Sequence, residues 1–170
     1  AIGRLDFNTS GLLIFTTSGE LANRMMHPSF DTEREYSVRI FGQLTSDQMN
    51  LLLAGVELSD GHGQFEVCEA IGGEGRNRWY RVIVKEGRNR LVRRMFESLG
   101  YQVSRLIRIR FGGIILPPRL TRGKWLELKI GEVTQLEEQC GIESKDSVAQ
   151  PVKPEQRSSR DKRKTKSRPD

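Results

Sequence analysis

The sequence predicts an α+β fold, a mixed and largely antiparallel sheet flanked by helices. Three observations carry this expectation. Strand-like and helix-like runs are interleaved along the 170 residues, and their hydrophobic periods switch between two and about 3.6. Two of the strands meet through a glycine-rich turn, as an antiparallel hairpin requires. The remaining connections are too short for a series of helical crossovers between parallel strands.

Residues 11–16 read as a short buried strand, followed by a capping box of Thr17 and Glu20. The helix it opens carries Leu21, Met25 and Met26 and stops before Pro28. Residues 35–41 set Tyr36, Val38 and Ile40 on one strand face and end at Gly42. Thr45 with Gln48 then caps a second helix. Residues 65–71 and 79–84 read as a hairpin turning at residues 72–75. Residues 89–99 carry Leu91, Met95, Phe96 and Leu99 at helical spacing and stop at Gly100. Residues 103–111 and 125–130 read as further strands, and residues 133–139 as a last short helix. From residue 144 onward almost nothing apolar remains, so burial cannot offset the entropy of ordering the chain. The expected division is a folded domain over residues 1–143 and a disordered basic tail over residues 144–170.

Composition narrows the function classes. No run approaches the roughly 18 apolar residues of a membrane-spanning helix, so a soluble chain with no membrane partner is expected. Cys68 and Cys140 lie far apart without a second pair, which supports neither a zinc ribbon nor a disulfide framework. A reducing, cytoplasmic setting follows. The net charge of +6 is unevenly spread. Residues 76–124 hold fourteen basic residues against Glu86 and Glu97 alone, whereas residues 1–75 hold four arginines against eleven acids. Such clustering is the footprint of a phosphate-backbone binder, although a solvated charged face has the same composition.

The densest polar cluster, residues 3–11, directly precedes the first strand. Asp6, Asn8 and Ser10 imitate a calcium loop, but the twelfth position from Asp6 is Thr17 rather than Glu, which excludes that site. Two readings remain: a turn in which Asp6, Asn8 and Thr9 bond backbone amides, or an Asp6 nucleophile or base kept ionised by Arg4 or another arginine. Tyr36 is either a core tyrosine or the floor under a nucleobase. Arg88, Arg90, Arg93 and Arg94 flank the start of the third helix, where Arg90, Arg93 and Arg94 share a face opposite Leu91 and Leu99. They form a solvated face, or they grip phosphates with one guanidinium turned inward to a carboxylate. Arg108 and Arg110 are expected on one face of the next strand together with Leu106. His27 and His62 have no nucleophile at a productive spacing, Cys68 reads as structural, and no Walker or dinucleotide loop is present, so neither a metal nor a nucleotide cofactor is indicated.

The run Gly3-Arg4-Leu5-Asp6 with Thr9, Gly11, Leu12 and Leu13 resembles the catalytic motif of the RsuA-type pseudouridine synthases. Further motifs follow in order: Glu20 to Asn23 with His27-Pro28, Arg34 to Val38, Glu86 to Arg90 with Val92 to Phe96, and Arg105 to Arg108 with Gly112. The likeness covers residues 3 to about 130 and is nearest to the branch acting on large-subunit ribosomal RNA. It implies a cofactor-free isomerisation of uridine with Asp6 as the catalytic aspartate. By position, Tyr36 would stack on the uracil and take part in proton transfer, and Arg93 would pair with Asp6. Arg4 would hold the flipped nucleotide or its vacated place, and Leu106 would line the pocket. Arg90-Leu91 stands where the family often has His-Gln, and Ser18 where Asp is commoner. Relatives also carry an S4-like RNA-binding domain ahead of the Arg-Leu-Asp motif, so an N-terminally incomplete catalytic domain is expected, with a monomer as the default state. The competing expectations are a non-catalytic RNA-binding or ribosome-assembly module, and a synthase acting on another RNA.

Overall fold

In a computed structural model of the chain, residues 1–143 are described. The segment 144–170, expected to be a basic tail, lies outside the described residues. The main sheet has six strands: β1 (Thr9–Gly11), β2 (Arg34–Phe41), β5 (Val67–Glu74), β6 (Asn77–Val84), β7 (Val103–Phe111) and β8 (Ile114–Ile115). Their order is β1-β7-β2-β6-β5, with β8 also on β7. Only the β1–β7 pair is parallel, so the mixed, mostly antiparallel sheet matches the sequence expectation. A separate two-stranded ribbon, β3 (Val56–Leu58) and β4 (Gly61–Gly63), follows α2 (Ser46–Ala54). The other helices are α1 (Gly19–Met26), α3 (Leu91–Ser98) and α4 (Ile130–Gln139).

One face of the sheet carries the main core. Val38 and Ile40 of β2, Tyr80 and Val82 of β6, and Leu106 of β7 pack against Leu52 of α2 and Met95 and Phe96 of α3. The Tyr80 hydroxyl, buried with its ring, accepts the Leu44 N–H at 2.9 Å and so ties the entrance of α2 to the sheet. A second cluster joins Ile2, Leu12 and Ile14 to Leu21 and Met25 of α1, Phe111 of β7 and Leu136 of α4. The α2 cap forms as expected, with Thr45 and Gln48 bonding each other's backbone.

Several local expectations are corrected. The first strand pairs over Thr9–Gly11 rather than 11–16, although Leu12 and Ile14 are buried. Ser18, not Thr17, caps α1, because its hydroxyl is the one that reaches the Leu21 N–H. Gly72 and Gly73 lie within β5, and the hairpin turns at Gly75 and Arg76, since positive φ at all three glycines lets the strand continue through a bulge first. Helix α3 starts at Leu91 because Arg90 is left-handed, with φ of 50°. Residues 125–129 form no strand, and Trp125 is exposed. β7, bordered by β2 on one side and by β1 and β8 on the other, offers that segment no free edge.

Candidate active site

Alternation along β2 and β7 brings the candidate residues to the core face, and a bulge decides which arginines join them. Tyr36 lies opposite Arg108 and Val38 opposite Leu106, while a register shift between Glu35 and Tyr36 skips Ile109. Arg108 therefore shares a face with Leu106 and Tyr36, whereas Arg110 points to the other face beside Glu35. This corrects the expectation that Arg108 and Arg110 would project together.

The loop holding Asp6 is gripped at three points by two buried arginines. Arg93, 5% exposed, donates from Nη2 to the Asn8 carbonyl at 2.7 Å and from Nη1 to the Val103 carbonyl at 3.1 Å. Arg108, 2% exposed, donates from Nε to the Leu12 carbonyl at 2.9 Å and from Nη1 to the Arg4 carbonyl at 3.4 Å. Arg108 thus fixes backbone on both sides of Asp6, and Arg93 ties the segment after it to β7, which a Lys with a single nitrogen could not do. Gly11 completes the grip, because a Cβ there would stand 2.2 Å from the Arg108 carbonyl oxygen. No other residue permits β1 to approach β7 so closely at a φ of 110°.

The turn itself is closed by backbone, with the Thr9 N–H donating to the Asp6 carbonyl at 2.9 Å. Among the described residues nothing bonds the Asp6 carboxylate, which is half-buried, so the reading in which its side chain merely satisfies amides is not what forms. Arg93 and Asp6 do not make a direct ion pair, yet the Asp6 charge reaches the Arg93 guanidinium. Burial pushes the Arg93 guanidinium below its usual value, Arg90 adds to this, and the Asp6 charge pulls it back up. Arg34 lies behind Tyr36, bonded to the Thr32 and Lys85 carbonyls, and burial also lowers its guanidinium. Arg34 and Arg108 each sit 4.9 Å from the centroid of the Phe111 ring.

The other sequence-flagged arginines divide by partner. Arg94 binds both oxygens of Asp60 at 2.6 and 2.8 Å, and Arg88 bonds Glu86 and Asp60. These two hold the β3–β4 ribbon and the segment before α3 to each other. Arg90 and Arg4 are exposed. The shared outward face expected for Arg90, Arg93 and Arg94 does not form, because Arg93 turns into the core and Arg90 precedes the helix. Sequence reasoning missed Asp60 and Arg34. Asp60 lies 34 positions from Arg94, beyond any local spacing rule, whereas Arg34 carried a signal as the first residue of a strand whose alternate positions are all inward.

Comparison with known proteins identifies the family. Residues 1–98 match the family described as RNA pseudouridylate synthase. The chain is 52% identical over 157 residues to the ribosomal large subunit pseudouridine synthase B of Yersinia pestis, covering 92% of this chain and 49% of that protein. With the protein of the same name from Escherichia coli K12 it shares 56% over 138 residues, or 81% of this chain and 47% of the other. The chain therefore spans about half the length of the curated relatives it matches. A crystal structure of a pseudouridylate synthase superposes with a TM-score of 0.69 at 27% identity, covering 79% of this chain and 58% of that one. The fold, the Asp6 motif and the match over residues 1–98 lead to one conclusion: this chain belongs to the RNA pseudouridylate synthase family.

Proposed function

We propose that the chain is the catalytic region, residues 1–143, of a cytoplasmic enzyme of ribosome biogenesis that isomerises a uridine of large-subunit ribosomal RNA to pseudouridine. The observation that carries this reading is the Asp6 carboxylate, unbonded among the described residues, on a loop fixed from both sides by Arg93 and Arg108. Cleaving the N1–C1′ bond and rejoining through C5 needs a nucleophile or base, a site that keeps water out, and a surface to hold the detached base. Asp6 supplies the first. Tyr36, beside the buried Leu106 and Arg108 on one sheet face, is proposed to stack on the uracil, with Leu106 closing the pocket.

Arg93 is proposed as a positioning residue that holds the Asp6 loop. Arg4 and Arg90, the exposed pair, are the proposed contacts to the extruded nucleotide and its phosphates. Arg88, Arg94 and Arg108 then contribute to substrate binding through the backbone they hold in place. Extrusion costs a few kcal/mol of stacking, which phosphate contacts from the basic third offset. The basic segment 144–170 is proposed to add non-specific RNA affinity. The test is to map pseudouridines in ribosomal RNA from cells lacking the protein. Loss of one large-subunit site, restored by the intact gene, is expected. An unchanged map, with RNA still bound, would favour a non-catalytic RNA-binding module. Loss of a site in transfer RNA or small-subunit RNA would move the substrate.

A further inference from the structure

The sheet face turned away from Tyr36, Leu106 and Arg108 belongs to neither apolar cluster, and its charges fall into two zones. Around Glu35 they are neutralised: Arg81 pairs with Glu35 and Glu69, and Arg110 with Glu35 and Glu33. At the other end the register sets Arg39 between Trp79 on β6 and Arg105 on β7, with Phe41 two positions further along the same face of β2. The Arg39 guanidinium stands 5.7 Å from the Trp79 ring centroid, and that of Arg76 5.7 Å from the Phe41 ring. Among the described residues Arg39, Arg76 and Arg105 have no carboxylate partner. Phe41 is 59% exposed. Gly72 lies opposite Trp79, and a Cβ there would meet nothing within 4 Å, so the flank of the indole stays bare. Arg39, Gly73, Glu74, Asn77 and Trp79 line a shallow recess of about 530 Å³.

We propose that this surface binds a single-stranded RNA segment flanking the modified site, with the arginines on phosphates and the guanidinium–aromatic pairs stacking bases. The inference rests on the RNA-substrate reading above. Three guanidiniums without carboxylates match a polyanion, and rings beneath them match its bases, which no acidic protein surface supplies together. An apolar protein partner would have to desolvate those charges without compensation. Glu74 disfavours a phosphate inside the recess and suits a base N–H donor there. The RNA thus engages both faces of one sheet, its target uridine on one and its flank on the other.

Oligouridylate of about ten nucleotides is the probe. In the Trp125→Phe variant of this 170-residue chain Trp79 is the sole tryptophan. Saturable quenching of its fluorescence by the oligonucleotide is expected. The Arg39→Gln/Arg105→Gln variant should weaken binding about tenfold or more and flatten the log–log salt slope by about 1.4, at ~0.7 per lost contact. Absence of quenching, or an unaltered salt slope, overturns the proposal. So does a fall in molecular mass in the double variant, which would make the face an interface between copies. If that variant does not fold, the quenching experiment decides alone. Quenching by a protein that converts no uridine would leave this inference standing and remove the catalytic reading.

Discussion

The two faces of the sheet use the same side chain for opposite purposes. On the core face, Arg93 and Arg108 are 5% and 2% exposed, and their guanidiniums are spent on the carbonyls of Asn8, Val103, Leu12 and Arg4. On the open face, Arg39, Arg76 and Arg105 keep their charge toward solvent and lean on rings or neighbours. Burial decides the role. A guanidinium out of water must find acceptors in the protein and becomes a girder for the Asp6 loop, while an exposed one remains able to meet a phosphate. A count of arginines in the basic third therefore overstates the RNA contacts near the site, because Arg88, Arg93, Arg94 and Arg108 are all internally engaged.

Substitutions can break or sharpen this contrast. The largest effect is expected at Gly11, where Ala would combine left-handed strain with overlap against the Arg108 carbonyl, costing about 3 kcal/mol or more. A denaturant titration checks it. Arg108→Met leaves the Leu12 carbonyl without its donor and should cost about 2 kcal/mol, while Arg105→Met on the open face should stay within about 0.5 kcal/mol. Equal effects at the two positions would erase the distinction between the faces.

Acid should separate the zones next. Burial acts to raise the Glu35 carboxyl, but hydrogen bonds and charges from Arg81 and Arg110 outweigh it and hold the group below the usual carboxylate value. Its contribution is therefore present above the unfolded pKa of about 4.3 and lost as pH falls through the lower folded value. Glu35→Gln should flatten the stability profile over that window, measured by thermal melts between about pH 5 and pH 2. The smallest effect concerns Cys68, whose thiol burial pushes up to about 11. Alkylation at about pH 8 should modify Cys68 only on the timescale of unfolding, as peptide mass analysis would show.

Much of this architecture was legible in the chain. β2, β7, the β5–β6 hairpin and the capped α2 follow from alternation, a glycine-rich turn and a capping box, all local signals. The ribbon β3–β4 was not, because three-residue strands are too short for alternation to register. Residues 125–129 alternate like a strand yet find no free edge on β7, which is tertiary information. At the proposed site, Asp6, Tyr36 and Arg93 were flagged by motif resemblance, and Arg93 reaches the Asp6 loop through the Asn8 carbonyl. The burial of Arg108 was not, since it depends on the bulge at Ile109 and on the parallel approach of β1. The open-face surface did carry a signal: Arg39 and Phe41 alternate on the polar side of β2, where an exposed aromatic is unusual enough to ask what it meets.

The central claim is that the Asp6 carboxylate, held on a loop fixed by Arg93 and Arg108, carries out the isomerisation. It is tested most directly by measuring pseudouridine formation and RNA affinity together in the Asp6→Asn variant of the intact protein. The expected result is affinity within about twofold of the unaltered protein, since one neutral isostere removes no phosphate contact, with no detectable conversion of uridine. Conversion at an undiminished rate would contradict the account.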